Sequence, residues 1–167
     1  MASESKSSSS EPTSSSILST TDNEVFETQH LVRFGDVDPA GIAYFPRIHN
    51  FIHESFENLW EDYIGVRYYH LIQKQRIAFP MAHTDVDFKY PLQFGDRPIV
   101  KVSCFKLGRS SLGLRYVFEV NGIICVDART TTVCINADSY KSLEIPADYR
   151  VYFQRIMAPL DANSGQK

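Results

Sequence analysis

The sequence has no large excess of charge of either sign, few cysteines and no long apolar run, and each shortage excludes a class of protein. Lys and Arg number 17 against 20 Asp and Glu, for a net charge of −3 and a pI near 5.9. Nucleic-acid binders carry a clustered excess of Lys and Arg, so no nucleic acid is expected as a partner. No apolar run approaches the roughly 20 residues that span a bilayer, so no membrane association is expected either. The three cysteines, Cys104, Cys125 and Cys134, lie inside apolar runs without metal-ligand spacing. They read as reduced core thiols of a cytoplasmic protein.

What is present suffices for one core: 167 residues, 43% of them hydrophobic, favour a single domain. Ten of the first twenty residues are Ser. That stretch has neither a basic segment leading into an apolar run nor the arginines of a transit peptide. Residues 1–24 therefore read as a disordered tail without a targeting signal. Residues 25–158 hold the folded domain, and 159–167 form a polar C-terminal tail.

Residues 26–35 read as a first strand. From Pro46 the spacing turns helical, with Ile48, Ile52, Leu59 and Tyr63 on one face, Phe51 and Phe56 widening it, and Gly65 as a stop. Residues 67–75 suit a short helix. Strands are expected over 81–90, 97–107, 111–120 and 123–135. In the third of these, Leu112, Leu114, Tyr116, Phe118 and Val120 alternate with smaller or polar residues, and Asn121-Gly122 suits a tight type I′ hairpin. PADYRVYFQRIM suits a final helix. A long helix placed early in an antiparallel run must be covered by the sheet that follows, which makes the fold α+β.

The stretch FGDVDPAGIAYFP, residues 34–46, carries the chemistry. Pro46 suits the first helical position because it has no N–H to leave orphaned. Phe45 is then the expected N-cap, and it has no side-chain acceptor for the first-turn amides. Free amides at a helix start stabilise an oxyanion. Asp38, just upstream in a Pro-Ala-Gly turn, can fold back toward them, and a carboxylate beside an oxyanion site suits acyl transfer. By residue type alone, Asp36 and Asp38 are better explained as turn-forming loop residues, and spacing by itself does not overturn that reading.

This motif resembles the signature of the 4-hydroxybenzoyl-CoA thioesterase family of hotdog-fold enzymes. VDFKYPLQFGD at 86–96, GRSSLGLRY at 108–116 and EIPADY at 144–149 support the resemblance. It implies a hotdog fold, an antiparallel sheet wrapped around a long central helix, and hydrolysis of an acyl-CoA to free acid and CoA without a cofactor. The second Asp of the motif is the family's catalytic carboxylate, here Asp38, as nucleophile or as general base toward water. The family's oxyanion donor, a backbone N–H at the helix start, maps onto Phe45. Asp36 is expected to order the loop. Tyr44 and His53 map to the acyl side of the site, and Arg109, Ser110 and Ser111 to the CoA phosphates, for which an Arg fork is suited. The resemblance also implies a homodimer or homotetramer with each site between two subunits.

Where the archetype carries an acid on the helix that reads a phenolic hydroxyl, this chain carries His53. That argues against 4-hydroxybenzoyl itself as the acyl group. It leaves His53 to meet a polar acyl group or to pack at the helix surface. His49 and His53 lie four apart, a spacing open to zinc, but Asn50 stands where a metalloprotease motif has Glu and no third ligand follows, so no metal is expected. His83 is expected in the core or in a pocket wall. The rival readings are a hotdog dehydratase, whose His-containing motif is missing, and a non-catalytic hotdog module that binds acyl groups or only assembles.

Overall fold

The computed structural model describes residues 24–158. The 159–167 segment, and all but Glu24 of the Ser-rich segment, lie outside the described residues. The chain begins with β1 (Phe26–Gln29) and a single 3-10 turn at Phe34–Asp36. The helix α1 (Phe45–Asn58) follows and continues with π-helical winding over Leu59–Ile64. Gly65 ends it at a φ of +82°, a left-handed conformation that glycine adopts freely. A short α2 (Tyr68–His70) leads into β2 (Ile77–Ala78). Four longer strands follow: β3 (Met81–Phe88), β4 (Ile99–Leu107), β5 (Ser111–Val120) and β6 (Ile123–Val133). A short β7 (Ile135–Asn136) and the helix α3 (Ala147–Arg155) complete the chain.

The five-stranded antiparallel sheet has the order β1-β4-β5-β6-β3, and β2 pairs with β7 separately. The expected first strand is shorter than its sequence pattern. Past Gln29, among the described residues only His30 and Val32 stay bonded to the segment before β4, their N–H groups donating to the Pro98 and Asp96 carbonyls at 3.1 and 2.9 Å. The chain then folds under α1 instead of continuing the ladder. The β5–β6 hairpin closes on Asn121 and Gly122, both with positive φ, as a two-residue turn requires.

Alternation along β5 buries Leu112, Leu114, Tyr116 and Phe118 on the face that meets α1. Opposite them, α1 contributes Ile48, Phe51, Ile52 and Phe56. Each such side chain contributes about 1.5–3 kcal/mol on burial. Trp60, fully buried, joins this layer to α3 through ring contacts with Tyr149 and Phe153 at 5.1 and 5.8 Å. The helix is thus held on the sheet along its whole length, and its N-terminus is left at one end of the sheet.

Candidate active site

Asp38 sits on a small hairpin. Its N–H donates to the Ile42 carbonyl at 2.9 Å, the Gly41 N–H donates to the Asp38 carbonyl at 2.9 Å, and Val37 bridges to Ala43. Pro39 occupies the turn position that its fixed φ favours, and Gly41 closes the turn at φ +77°. The carboxylate shares its two oxygens between two tasks. Oδ1 accepts the Ala40 N–H at 2.8 Å, the Asx turn that loop aspartates commonly make, while Oδ2 has no partner among the described residues.

Asp36 does the opposite and is almost wholly buried. Its carboxylate accepts the Arg33 N–H at 2.8 Å and the Arg47 Nε–H at 2.7 Å. Its carbonyl accepts the Tyr44 N–H at 2.8 Å. One residue therefore stitches the Asp38 hairpin to the first turn of α1, the loop-ordering role expected of it. Arg47 was missed in the sequence, although a signal was present. A cation in the first turn of a helix opposes the macrodipole and needs an acidic partner nearby.

The helix start differs from the expected one by a residue. Tyr44 is the N-cap, Phe45 the first helical residue and Pro46 the second. The shift follows from the backbone bonds: Tyr44 is pinned by Asp36, and its own carbonyl accepts the Arg47 N–H at 2.8 Å. No side chain caps the helix. Pro46 has no N–H, and the Phe45 N–H has no acceptor among the described residues.

Asp38, Tyr44, Phe45 and Ile48 line one side of a cleft of about 490 Å³, and Phe88 and Tyr90 line the other. Sequence reasoning took Phe88 and Tyr90 only as the end of a strand over 81–90; here they form the opposite wall. The remaining site candidates lie elsewhere in the protomer. His53 is exposed, 3.4 Å from Glu57, and lines a second cavity further along α1. Arg109, Ser110 and Ser111 occupy the β4–β5 turn. That is the end of β5 remote from the cleft, because Phe118, Val126 and Phe88 align at the cleft end. Seven residues of strand separate Ser111 from Phe118, about 23 Å. The Arg109 side chain is largely in solvent, 3.8 Å from Glu144. His83 is exposed on β3 instead of in the core, because this edge strand is exposed along nearly its whole length. Among the described residues no cluster of three or more His, Cys, Asp or Glu is arranged to hold a metal.

The cysteines are free and buried, and burial pushes the Cys104 and Cys134 thiols up to about 11. No helix among the described residues is long and apolar enough to cross a membrane.

Residues 32–155 match the family model of the thioesterase-like superfamily. The chain is 31% identical over 121 residues to a 1,4-dihydroxy-2-naphthoyl-CoA hydrolase of Nostoc punctiforme, covering 72% of this chain and 81% of that protein. It also resembles a gentisyl-coenzyme A thioesterase structure at 28% identity and a TM-score of 0.68, covering 75% and 98% of the two chains. A 1,4-dihydroxy-2-naphthoyl-CoA thioesterase from Synechocystis, at 23% identity and a TM-score of 0.72 over 78% and 96%, shares the fold. These relatives carry naphthoyl- and gentisyl-CoA names in place of 4-hydroxybenzoyl-CoA, so the membership established is that of the broader group. The chain belongs to the thioesterase-like superfamily, as a hotdog-fold thioester hydrolase.

Proposed function

We propose that this enzyme hydrolyses an aromatic acyl-CoA to the free acid and CoA, with Asp38 as its catalytic carboxylate. The observation that supports the assignment is a cleft lined by both Asp38, whose carboxylate keeps one oxygen without a described partner, and Phe45, whose N–H has no described acceptor. The thioester carbonyl oxygen accepts the Phe45 N–H as charge develops on it. Asp38 Oδ2 then either attacks the carbonyl carbon or takes a proton from an attacking water. In the first route the C–S bond breaks, CoA leaves as thiolate and water hydrolyses the resulting acyl-aspartate anhydride. In the second, addition of the water to the carbonyl expels the CoA thiolate; both routes use the same oxygen. Tyr44 flanks the acyl group, and the aromatic cleft wall suits an aromatic ring. The dihydroxynaphthoyl and gentisyl groups in the names of the relatives support a hydroxylated aromatic acyl group over the 4-hydroxybenzoyl group alone.

The active unit in this reading is a homodimer or a homotetramer in the cytoplasm. Strand β3 is an edge with only β6 beside it and seven of its eight residues exposed. An uncovered edge invites pairing. Exposed Tyr44, Phe45, Phe88 and Tyr90 around the cleft supply apolar surface for a second copy to cover. Such pairing brings the partner's Arg109 turn toward the cleft.

The test is turnover on a panel of aromatic and aliphatic acyl-CoAs by wild type and by Asp38→Asn. Asn keeps the Oδ1 acceptor of the turn and removes the anionic oxygen. The expected fall in kcat is on the order of 10²–10⁴. Near-wild-type turnover by the variant refutes the role of Asp38, and a wild type inactive on every thioester favours the non-catalytic binding module.

A further inference from the structure

Between the end of β1 and α1 lies a hollow of about 420 Å³ that shares no lining residue with the Asp38 cleft. Three guanidiniums, those of Arg33, Arg47 and Arg97, line it with the carboxylates of Asp36 and Glu54 and the His30 imidazole. Both carboxylates are already engaged. Asp36 accepts the Arg47 Nε–H at 2.7 Å and the Arg33 N–H at 2.8 Å, and Glu54 lies 3.2 Å from His30 Nδ1. The Arg33 and Arg97 guanidiniums, and Nη1 of Arg47, have no partner among the described residues. The two free arginines follow directly on Val32 and Asp96, which are tied by a backbone bond of 2.9 Å. In a chain of net charge −3 this is a local excess of unpaired cations. Solvated arginines are common on surfaces, so the cluster alone decides nothing. The second observation is at His30.

That ring is buried, and its hydrogen bonds leave it one proton short. The Ser55 hydroxyl donates to the Phe51 carbonyl at 2.7 Å, so its oxygen accepts from His30 Nε2 at 2.8 Å. In a neutral ring Nδ1 is then an acceptor, and it meets the Glu54 carboxylate at 3.2 Å. Two acceptors at that distance repel. A proton on Nδ1 turns the contact into a charge-assisted hydrogen bond. Burial resists that proton and lowers the His30 pKa below its ordinary value, against the raising pull of Glu54. Arg33, Arg47 and Arg97 are like charges on the same hollow and resist it too, while the charge of Asp36 is taken up by Arg47. An anion among the arginines cancels that resistance, so the hollow takes up an anion and a proton together.

We propose that this hollow binds a doubly charged tetrahedral oxyanion, a phosphate or phosphate ester, through Arg33, Arg97 and the free edge of Arg47, while His30 takes up a proton. Guanidinium forks present paired N–H donors to such oxygens, and two free forks match two charges. The coupling is reciprocal: the anion raises the His30 pKa, and a falling pH tightens the anion. Asp36 and Arg47 line this hollow and also hold the start of α1 against the Asp38 hairpin. The anion therefore binds at the support of that hairpin without entering the cleft.

Calorimetric titration of the full chain with sodium sulfate at constant ionic strength is the test, because sulfate keeps both charges across the range used. Wild type should bind it saturably, with affinity rising on the order of fivefold from about pH 8 to about pH 6. Arg33→Gln combined with Arg97→Gln should weaken binding by on the order of tenfold or more. Both side chains are exposed, and an unchanged Tm without sulfate verifies that the variant folds. His30→Gln should bind sulfate with an affinity that no longer depends on pH. Proton NMR of the wild-type His30 ring reads the coupling directly, with sulfate raising its titration midpoint. Titration with free CoA and with inorganic phosphate separates the sources of the anion. Loss of CoA affinity in the arginine double variant marks the CoA phosphate as occupant, and loss of phosphate affinity alone marks a free phosphate; either agrees with the site. No readout depends on turnover, so failure of the hydrolase reading leaves the test intact. No saturable sulfate binding by wild type, or equal binding by the double variant, overturns the site. A His30 midpoint that sulfate leaves unmoved overturns the proton coupling.

Discussion

Replacing Arg47 with Met tests whether the Asp36–Arg47 tie holds the Asp38 hairpin in place. The Asp36 carboxylate is buried and has two described donors, the Arg47 guanidinium and the Arg33 N–H. Removing one partner of a buried ion pair costs about 3–5 kcal/mol, because the remaining charge stays buried. Here the Arg47 side chain is 43% exposed, so water screens the pair and partly replaces the lost donor. About 2 kcal/mol is the reasonable remainder. For a domain of this size that corresponds to a Tm lower by about 4–8 °C. The catalytic consequence should be larger than the stability loss suggests. The same Asp36 holds the Tyr44 N–H, so a loosened Asp36 displaces both Asp38 and the Phe45 amide. Thermal unfolding followed by circular dichroism gives the first number, and kcat on the best acyl-CoA, measured well below Tm, gives the second. The double variant Asp36→Asn, Arg47→Met should be more stable than Arg47→Met alone, since no unpaired charge remains. A single variant with unchanged Tm and unchanged kcat would falsify the tether.

Two further outcomes follow from charges elsewhere. Arg109→Ala should raise KM for acyl-CoA with kcat nearly constant, and should matter less for a truncated thioester without the nucleotide, which steady-state kinetics on both substrates will resolve. On the outer face of the sheet, burial pushes the Asp127 carboxyl up. The paired Arg115 bonds at 2.9 and 2.8 Å, with the charges of Arg115, Arg129 and Lys89, outweigh it and hold the group below the usual carboxylate value. The folded state therefore binds this proton more weakly than the unfolded chain. The stabilisation is complete above the ordinary Asp range near pH 4 and is lost as pH falls through the lowered folded value. Asp127→Asn should flatten the Tm profile across that window, and an unchanged slope refutes the pairing.

Periodicity alone determined most of the architecture. The 3.6-residue stripe from Ile48 to Tyr63, the alternation along β5 and the Asn121-Gly122 pair are local features, so they were legible before any contact was known. The turn around Asp38 was legible as well, from Pro and Gly chemistry close in the chain, but its candidacy as the catalytic carboxylate came from the resemblance of FGDVDPAG to the thioesterase signature. What local pattern could not show depended on partners distant in sequence. Residues 30–35 look like strand, yet the end of the strand is set by where the sheet stops and α1 crosses. The helix start moved by one residue because the carbonyl of Asp36, eight positions upstream, captures the Tyr44 N–H. His83 and Thr130 are both strand residues; His83 is exposed and Thr130 buried in a sheet where β3 is an edge and β6 is not, an order that only strand pairing sets. The separation of His53 and Arg109 from Asp38 was likewise invisible along the chain, since only the packed sheet sets Ser111 and Phe118 at its opposite ends.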